Sequence, residues 1–265
     1  VDIVEAQGHF PQYTLQEALP SGAQGDVFRG SDANGTEVVV KVISGGWVKR
    51  GQREIEALIQ VNHPAVVRLV GHGTVQDGGV QLPYVVTEFV PGQDLQRQLA
   101  AGSFDVARIP RIVETAVEGL DAIWAERIVH RDIKPSNLMV RPDGRAVLLD
   151  LGVARCLDMT TLTVGVGWLG TPGYMSPEQA LGKHDLTIKS DIYALGVTVF
   201  EAIVGSHPFG RNQNLIVYST QAPVIPNSAP CSAAVAALVS QMLHPSPLMR
   251  PLPAEILSAL TGEVT

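Results

Sequence analysis

The chain has 265 residues, 45% hydrophobic and 17% charged, which is enough apolar material for a large core and too much for a disordered chain. A net charge of −7 argues against nucleic acid as a main partner, and two cysteines, Cys156 and Cys231, do not make a disulfide framework and fit a reducing, cytoplasmic setting. No stretch reaches the ~18 uninterrupted apolar residues that a membrane span needs; the nearest, 192–205, is broken by Glu201 and reads as a buried helix.

No signal peptide is legible at the N-terminus, which begins with Val1 and not Met, as either a trimmed start or a piece cut from a longer chain would. Residues 13–19 alternate loosely, as a strand does, and run into Pro20-Ser21-Gly22-Ala23-Gln24-Gly25-Asp26-Val27-Phe28-Arg29. Glycines three apart at a strand-to-strand turn let backbone N–H groups approach phosphates, because no Cβ intervenes. The same pair also suits a plain hairpin turn. Residues 38–43 are β-branched except for Lys41, whose chain can snorkel to solvent. Residues 51–61 have helical spacing, with Ile55, Leu58 and Ile59 apolar and Glu54 and Glu56 both available as charged partners. Residues 66–70 and 84–90 read as strands, the second ending at Pro91-Gly92. Asp94 stands where it can cap a following helix.

Residues 106–128 place Ile109, Ile112, Val113, Ala116, Val117, Leu120 and Ile123 at helical spacing, predicting a long packed helix. It delivers the chain to His130-Arg131-Asp132-Ile133-Lys134-Pro135-Ser136-Asn137. Two apolar runs follow, Leu138-Met139-Val140 and Ala146-Val147-Leu148-Leu149, joined by a turn containing Pro142-Asp143-Gly144. The hairpin they predict brings Asn137 and Asp150 to one end. An amide oxygen beside a carboxylate suits Mg²⁺, a hard cation that takes oxygen ligands. Asp132, just outside that pair, is placed to accept a proton from a hydroxyl. Beyond Gly152 lies a Thr-bearing stretch with Thr160, Thr161 and Thr163, closing on Gly170-Thr171-Pro172-Gly173-Tyr174-Met175-Ser176-Pro177-Glu178. Ser190-Asp191-Ile192 opens the apolar helix already noted, and three shorter helices are expected over 212–220, 232–243 and 253–260.

These stretches, in this order over about residues 13–260, resemble the signatures of eukaryotic-like Ser/Thr protein kinases, and Ser176-Pro177-Glu178-Gln179 is most like the bacterial members. The resemblance implies an α+β, two-lobed fold forming a single kinase domain over 1–265. A small antiparallel β lobe with one helix would span 1–90, and a larger, mainly helical lobe 91–265. ATP with Mg²⁺, or Mn²⁺, would sit in the cleft. Gly22, Gly25 and Val27 match the Gly-rich loop, with Pro20 in place of its first glycine. Lys41 would reach the α- and β-phosphates, held by Glu54, which lies ten residues before Pro64. The 13-residue spacing from Lys41 to Glu54 is short for the family and implies that the helix has lost part of its N-terminal end. Val39 and Met139 join the nucleotide-contacting set, Thr87 is the gatekeeper, Glu88 and Val90 present backbone to adenine, and Asp94 contacts ribose or simply caps its helix. Asp132 is the catalytic base, Lys134 contacts the γ-phosphate and favours Ser/Thr acceptors, and Asn137 and Asp150 hold the metal. Leu151 replaces the usual Phe in an apolar slot near His130 and Leu58. Asp191 is a scaffold residue bonded to the catalytic loop, and Arg250 is the cation that partners Glu178.

The same resemblance implies control by phosphorylation among Thr160, Thr161 and Thr163, read by Arg131, with transient self-association for autophosphorylation. Thr171 would support the catalytic loop instead. The implied partners are Ser/Thr-containing proteins. The rival readings are a pseudokinase scaffold, marked by loss of the Lys, Asp or Asn that are all present here, and a small-molecule kinase, which usually lacks the Gly-Thr…Ser-Pro-Glu segment.

Overall fold

The β-branched run 38–43 becomes the middle of a sheet. In the computed structural model, which describes residues 3–22, 25–151, 172–210 and 213–261, it lies in β3 (Glu37–Ile43). Around it are β1 (Thr14–Gly22), β2 (Gly25–Ser31), β4 (Leu69–Asp77) and β5 (Val80–Glu88). The sheet is antiparallel throughout, in the order β1-β2-β3-β5-β4. Its register aligns Phe28, Val40 and Val86 across three strands. Directly paired residues share a face, so these three, with Val38 and Val42, form the apolar core on one side.

That core is closed by an element the sequence did not announce. Helix α1 (Ile3–His9) packs on it, with Ala6 and Phe10 buried and Phe10 edge-on to Tyr84 at 4.9 Å. Ile3, Ala6 and Phe10 fall on one helical face, and burying a side chain such as Phe10 contributes about 2 kcal/mol. Among its described residues this unit therefore carries two α-helices, not the one expected. The second, α2 (Val48–Gln60), starts three residues before the expected 51 and follows a single 3₁₀ turn, Gly45–Trp47. Arg50 stacks over the Trp47 ring at 4.6 Å, extending the helix backward.

The strand expected over 66–70 begins only at Leu69. The residues before it serve another part of the molecule. Leu148 N–H donates to Ala65 O at 2.8 Å, and Val66 bridges Leu148. Accordingly the chain divides into two compact units, one from Val1–Asn62 and Val67–Val90, the other from His63–Val66 and Pro91–Thr265.

The second unit is mainly helical, around a three-stranded sheet of β6 (Gln93–Asp94), β7 (Leu138–Val140) and β8 (Ala146–Leu148). Helix α3 (Leu95–Ala100) follows β6 directly. The helix expected over 106–128 is shorter. Asp105 caps a 3₁₀ turn at Val106–Arg108, and α4 (Ile109–Ala125) begins with Pro110 in its first turn, where the missing N–H costs nothing. Its seven predicted apolar positions are all buried. It ends before Arg127, whose φ of 59° turns the chain toward His130. Beyond α5 (Pro177–Ala180), α6 (Ile188–Val204) is buried on nearly every side, as a uniformly apolar helix must be. Thr187 caps its start, and Gly205 at φ 77° stops it. Helices α7 (Gln213–Tyr218), α8 (Ala233–Met242) and α9 (Pro253–Ala259) complete the unit. No helix among the described residues is long and apolar enough to cross a membrane.

Candidate active site

In the first unit the residues expected to meet a nucleotide share one sheet face. The register pairs Val27 with Lys41 and Val39 with Thr87. Alternation puts Val27, Val39, Lys41 and Thr87 opposite the apolar core. Gly22 ends β1 and pairs with Gly25 at the start of β2. Gly25 has φ 141°, and a Cβ there would lie 1.8 Å from Val42 O, so only glycine fits against β3. Lys41 Nζ lies 3.4 Å from Glu54 Oε2, both residues being buried, whereas Glu56 is exposed. The residues alone left that choice open. Glu88 takes Arg68 into a backbone bond at 3.0 Å and accepts Arg68 N–H on its own carboxylate at 3.3 Å. Val90 is buried at the end of this unit.

In the second unit the β7–β8 hairpin sets the geometry. Leu138 pairs with Leu148, and Leu149 N–H donates to Asn137 O at 2.9 Å, so Asn137 stands one residue from Asp150 across the hairpin's open end. Asn137 spends both amide N–H groups on Asp132, one on its backbone O at 2.8 Å and one on Oδ2 at 3.0 Å. Lys134 Nζ lies 3.0 Å from the same carboxylate oxygen. Met139 pairs with Asp94. Asp94 also caps α3, accepting Arg97 N–H at 2.9 Å, so the plain structural use of this residue is present. Among the described residues, three non-glycines have positive φ, and two are here: Arg131 at 68° and Asp150 at 48°. Such outliers persist only where surrounding structure holds them, and they concentrate at active sites.

What holds the loop is a buried polar frame. Asp191 at the start of α6 accepts His130 N–H and Arg131 N–H, each at 2.8 Å. His130 receives Asp132 N–H on Nδ1 and donates from Nε2 to Leu149 O at 3.0 Å, so it is the neutral tautomer. Burial pushes its pKa down to about 4. Gln179 Nε2 donates to Arg131 O at 2.9 Å, a contact with no sequence signal, since a lone glutamine after Pro-Glu has no period or spacing to mark it. Leu151 is buried. Gly152, Thr160, Thr161, Thr163 and Thr171 lie outside the described residues.

Burial raises Asp191 to about 7, against the two N–H bonds that pull it down. The two shifts oppose each other on acidification. A depressed His130 loses stability as pH falls from its unfolded value toward 4, whereas a raised Asp191 contributes fully below its unfolded value and loses stability as pH rises through 7. Asp191→Asn removes only the second effect. Its stability deficit relative to wild type should therefore widen by about 3 kcal/mol between pH 7.5 and pH 4.5, measured by urea unfolding. A deficit that stays constant or narrows would mean that the N–H bonds outweigh burial.

Residues 13–260 match the family model described as protein kinase domain. Among similar proteins are the serine/threonine-protein kinase PknA of Mycobacterium tuberculosis, 32% identical over 78% of this chain and 50% of PknA, and the serine/threonine-protein kinases pkn3 and pkn2 of Myxococcus xanthus. The match to pkn3 is 32% identical over 94% of this chain and 49% of that protein; the match to pkn2 is 35% over 75% and 25%. The chain thus spans about half the length, or less, of these curated relatives. With nearly its whole length matched and the loop, hairpin and Lys41–Glu54 pair in the family's order, this chain belongs to the protein kinase family.

Proposed function

We propose that the chain transfers the γ-phosphate of ATP to Ser and Thr hydroxyls of protein substrates, with Mg²⁺ as its metal and Mn²⁺ able to replace it. The observation that carries this reading is the arrangement at Asp132, whose carboxylate is gripped by Lys134 and Asn137, each at 3.0 Å. The donor set fits a divalent cation. With both N–H groups of Asn137 turned to Asp132, its Oδ1, 3.5 Å from the Ser136 hydroxyl, is the oxygen that would ligate the ion, and Asp150 would supply a carboxylate one residue along. When bound, such an ion neutralises charge on the phosphates.

The chain's own residues do the rest by positioning and charge. Lys41, held by Glu54, orients the α- and β-phosphates. The acceptor hydroxyl oxygen attacks the γ-phosphorus, the bond to the bridging oxygen breaks, and ADP leaves with that electron pair. Asp132 orients the hydroxyl and takes its proton. Lys134 moves its charge from Asp132 to the γ-phosphate as it arrives. Thr87, the backbone of Glu88 and Val90, and Asp94 receive the nucleoside, with Val27, Val39 and Met139 against it.

The test is transfer of labelled phosphate from ATP to a generic basic protein. Label should appear with Mg²⁺ and vanish with chelator. It should also appear on the chain itself, at Thr160, Thr161 or Thr163, by mass spectrometry. Nucleotide binding without transfer under any metal condition would make the chain a scaffold.

A further inference from the structure

We propose that Gly51 is a positioning residue for the reaction: its missing side chain lets α2 seat on β3 closely enough for Glu54 to hold Lys41. The inference rests on the reading of Lys41 as the lysine that orients the phosphates.

Two facts of periodicity set up the contact. Lys41 and Ile43 are alternate residues of β3 and share a face. Gly51 and Glu54 are three apart on α2 and share a face. Strand and helix meet through these four residues as two rungs, Ile43 against Gly51 and Lys41 against Glu54. A Cβ built on Gly51 would lie 2.2 Å from Ile43 Cδ1, 2.9 Å from Cγ2 and 3.1 Å from Cγ1. Ile43 is 1% exposed, so its side chain has no open space to swing into. Cγ2 is bonded to the branch point and moves only with χ1, which is stiff in a β-branched side chain. The helix must therefore back away at the first rung, and the second rung lies one turn further along the same face.

The short connection makes the requirement strict. Only residues 44–47 separate β3 from α2, and three of them form a 3₁₀ turn. The helix cannot slide along the strand to find another seat. Glycine is also the poorest helix former after proline, and Gly51 sits inside a helix at φ outside the left-handed region, where alanine would be preferred on propensity alone. Packing against Ile43 is what alanine would lose.

The experiment is steady-state kinetics on Gly51→Ala, with the helical signal checked first. We expect a fall of about ten- to a hundred-fold in kcat/KM, the scale of a displacement near 1 Å. KM for ATP should rise and KM for the protein acceptor should not change, a split that a general loss of folded protein would not produce. Ile43→Val deletes Cδ1, the closest atom at 2.2 Å, and keeps Cγ2 and Cγ1, so adding it to Gly51→Ala should recover part of the loss. In a Glu54→Gln background Gly51→Ala should cost less than about two-fold, because both changes act through one contact. Wild-type kinetics for Gly51→Ala, no recovery with Ile43→Val, or full additivity with Glu54→Gln would each overturn the inference. A fully active Glu54→Gln enzyme would instead overturn the reading of the Lys41–Glu54 pair. An impaired Glu54→Gln beside a normal Gly51→Ala would sink the role of Gly51 alone.

Discussion

We expect Asp132→Asn to lower phosphoryl transfer by about 10²–10⁴-fold, the usual worth of a positioned general base, and to leave ATP affinity nearly unchanged. The amide is close in shape to the carboxylate, so the loop around it stays folded: His130 still bonds Leu149 O and Asp191 still holds two loop N–H groups. What changes is chemistry at one oxygen. The carboxylate accepts from Lys134 Nζ and Asn137 Nδ2 at Oδ2. Asparagine presents one acceptor oxygen in place of two, and neither of its terminal atoms takes a proton at neutral pH. Nucleotide contacts assigned to Lys41, Thr87 and Val90 do not involve this atom. Single-turnover rates and ATP titration on one preparation separate the two effects. A variant with near-normal turnover would remove Asp132 from the proton transfer.

How much of this was legible in the sequence depended on whether a residue's role is local. The catalytic loop and the β7–β8 hairpin could be read because eight contiguous residues and a Pro-Asp-Gly turn carry them. Charge and period alone left Glu54 and Glu56 open, and only burial separates them, Glu54 lying on the face packed against β3 and Glu56 on the exposed one. Three features escaped because their role lies in packing between elements, with partners distant in the chain for the first two and on a neighbouring element for the third. Helix α1 spans only seven residues, and its stability comes from Phe10 inserting beside Tyr84, 74 positions away. The strand expected over 66–70 lost its first half to a bridge with Leu148. Gly51 looked like a weak point in a helix until the side chain of Ile43 was found against it. Asp94 shows the reverse: its capping bond to Arg97 N–H is local and was anticipated from position alone.

Arg250→Met should destabilise the protein by about 3–5 kcal/mol, the cost of stripping one partner from a buried ion pair. Arg250 is among the most buried side chains, and its five N–H donors are all used. Its two terminal nitrogens reach Glu178 at 2.6 and 2.9 Å. The remaining bonds go to Lys189 O at 2.9 Å, His244 O at 2.8 Å and Pro245 O at 3.0 Å, with the guanidinium over the Tyr193 ring at 4.7 Å. One side chain thus ties α5, α6 and the segment after α8. Burial works to raise the Glu178 carboxyl, but its bonds and charge contact with Arg250, and the Ser190 hydroxyl at 2.7 Å, hold it below the usual range. Methionine fills much of the volume but leaves Glu178 charged without its cation, and takes a donor from the carbonyls of His244, Pro245 and Lys189. At about 2–4 °C per kcal/mol for a domain of this size, the melting temperature should fall by roughly 10 °C. Activity should fall as well, because Gln179, next to Glu178, carries the bond to Arg131 O in the catalytic loop. The double change Arg250→Met with Glu178→Leu removes the stranded charge and should recover part of the stability, since apolar replacement of a whole buried pair is often neutral. Thermal and urea unfolding of the single and double variants decide the matter. A single variant within about 1 kcal/mol of wild type would show that the pair contributes no more than an exposed one, and a double variant no better than the single would locate the cost in the carbonyls that lose Arg250 instead of the unpaired carboxylate.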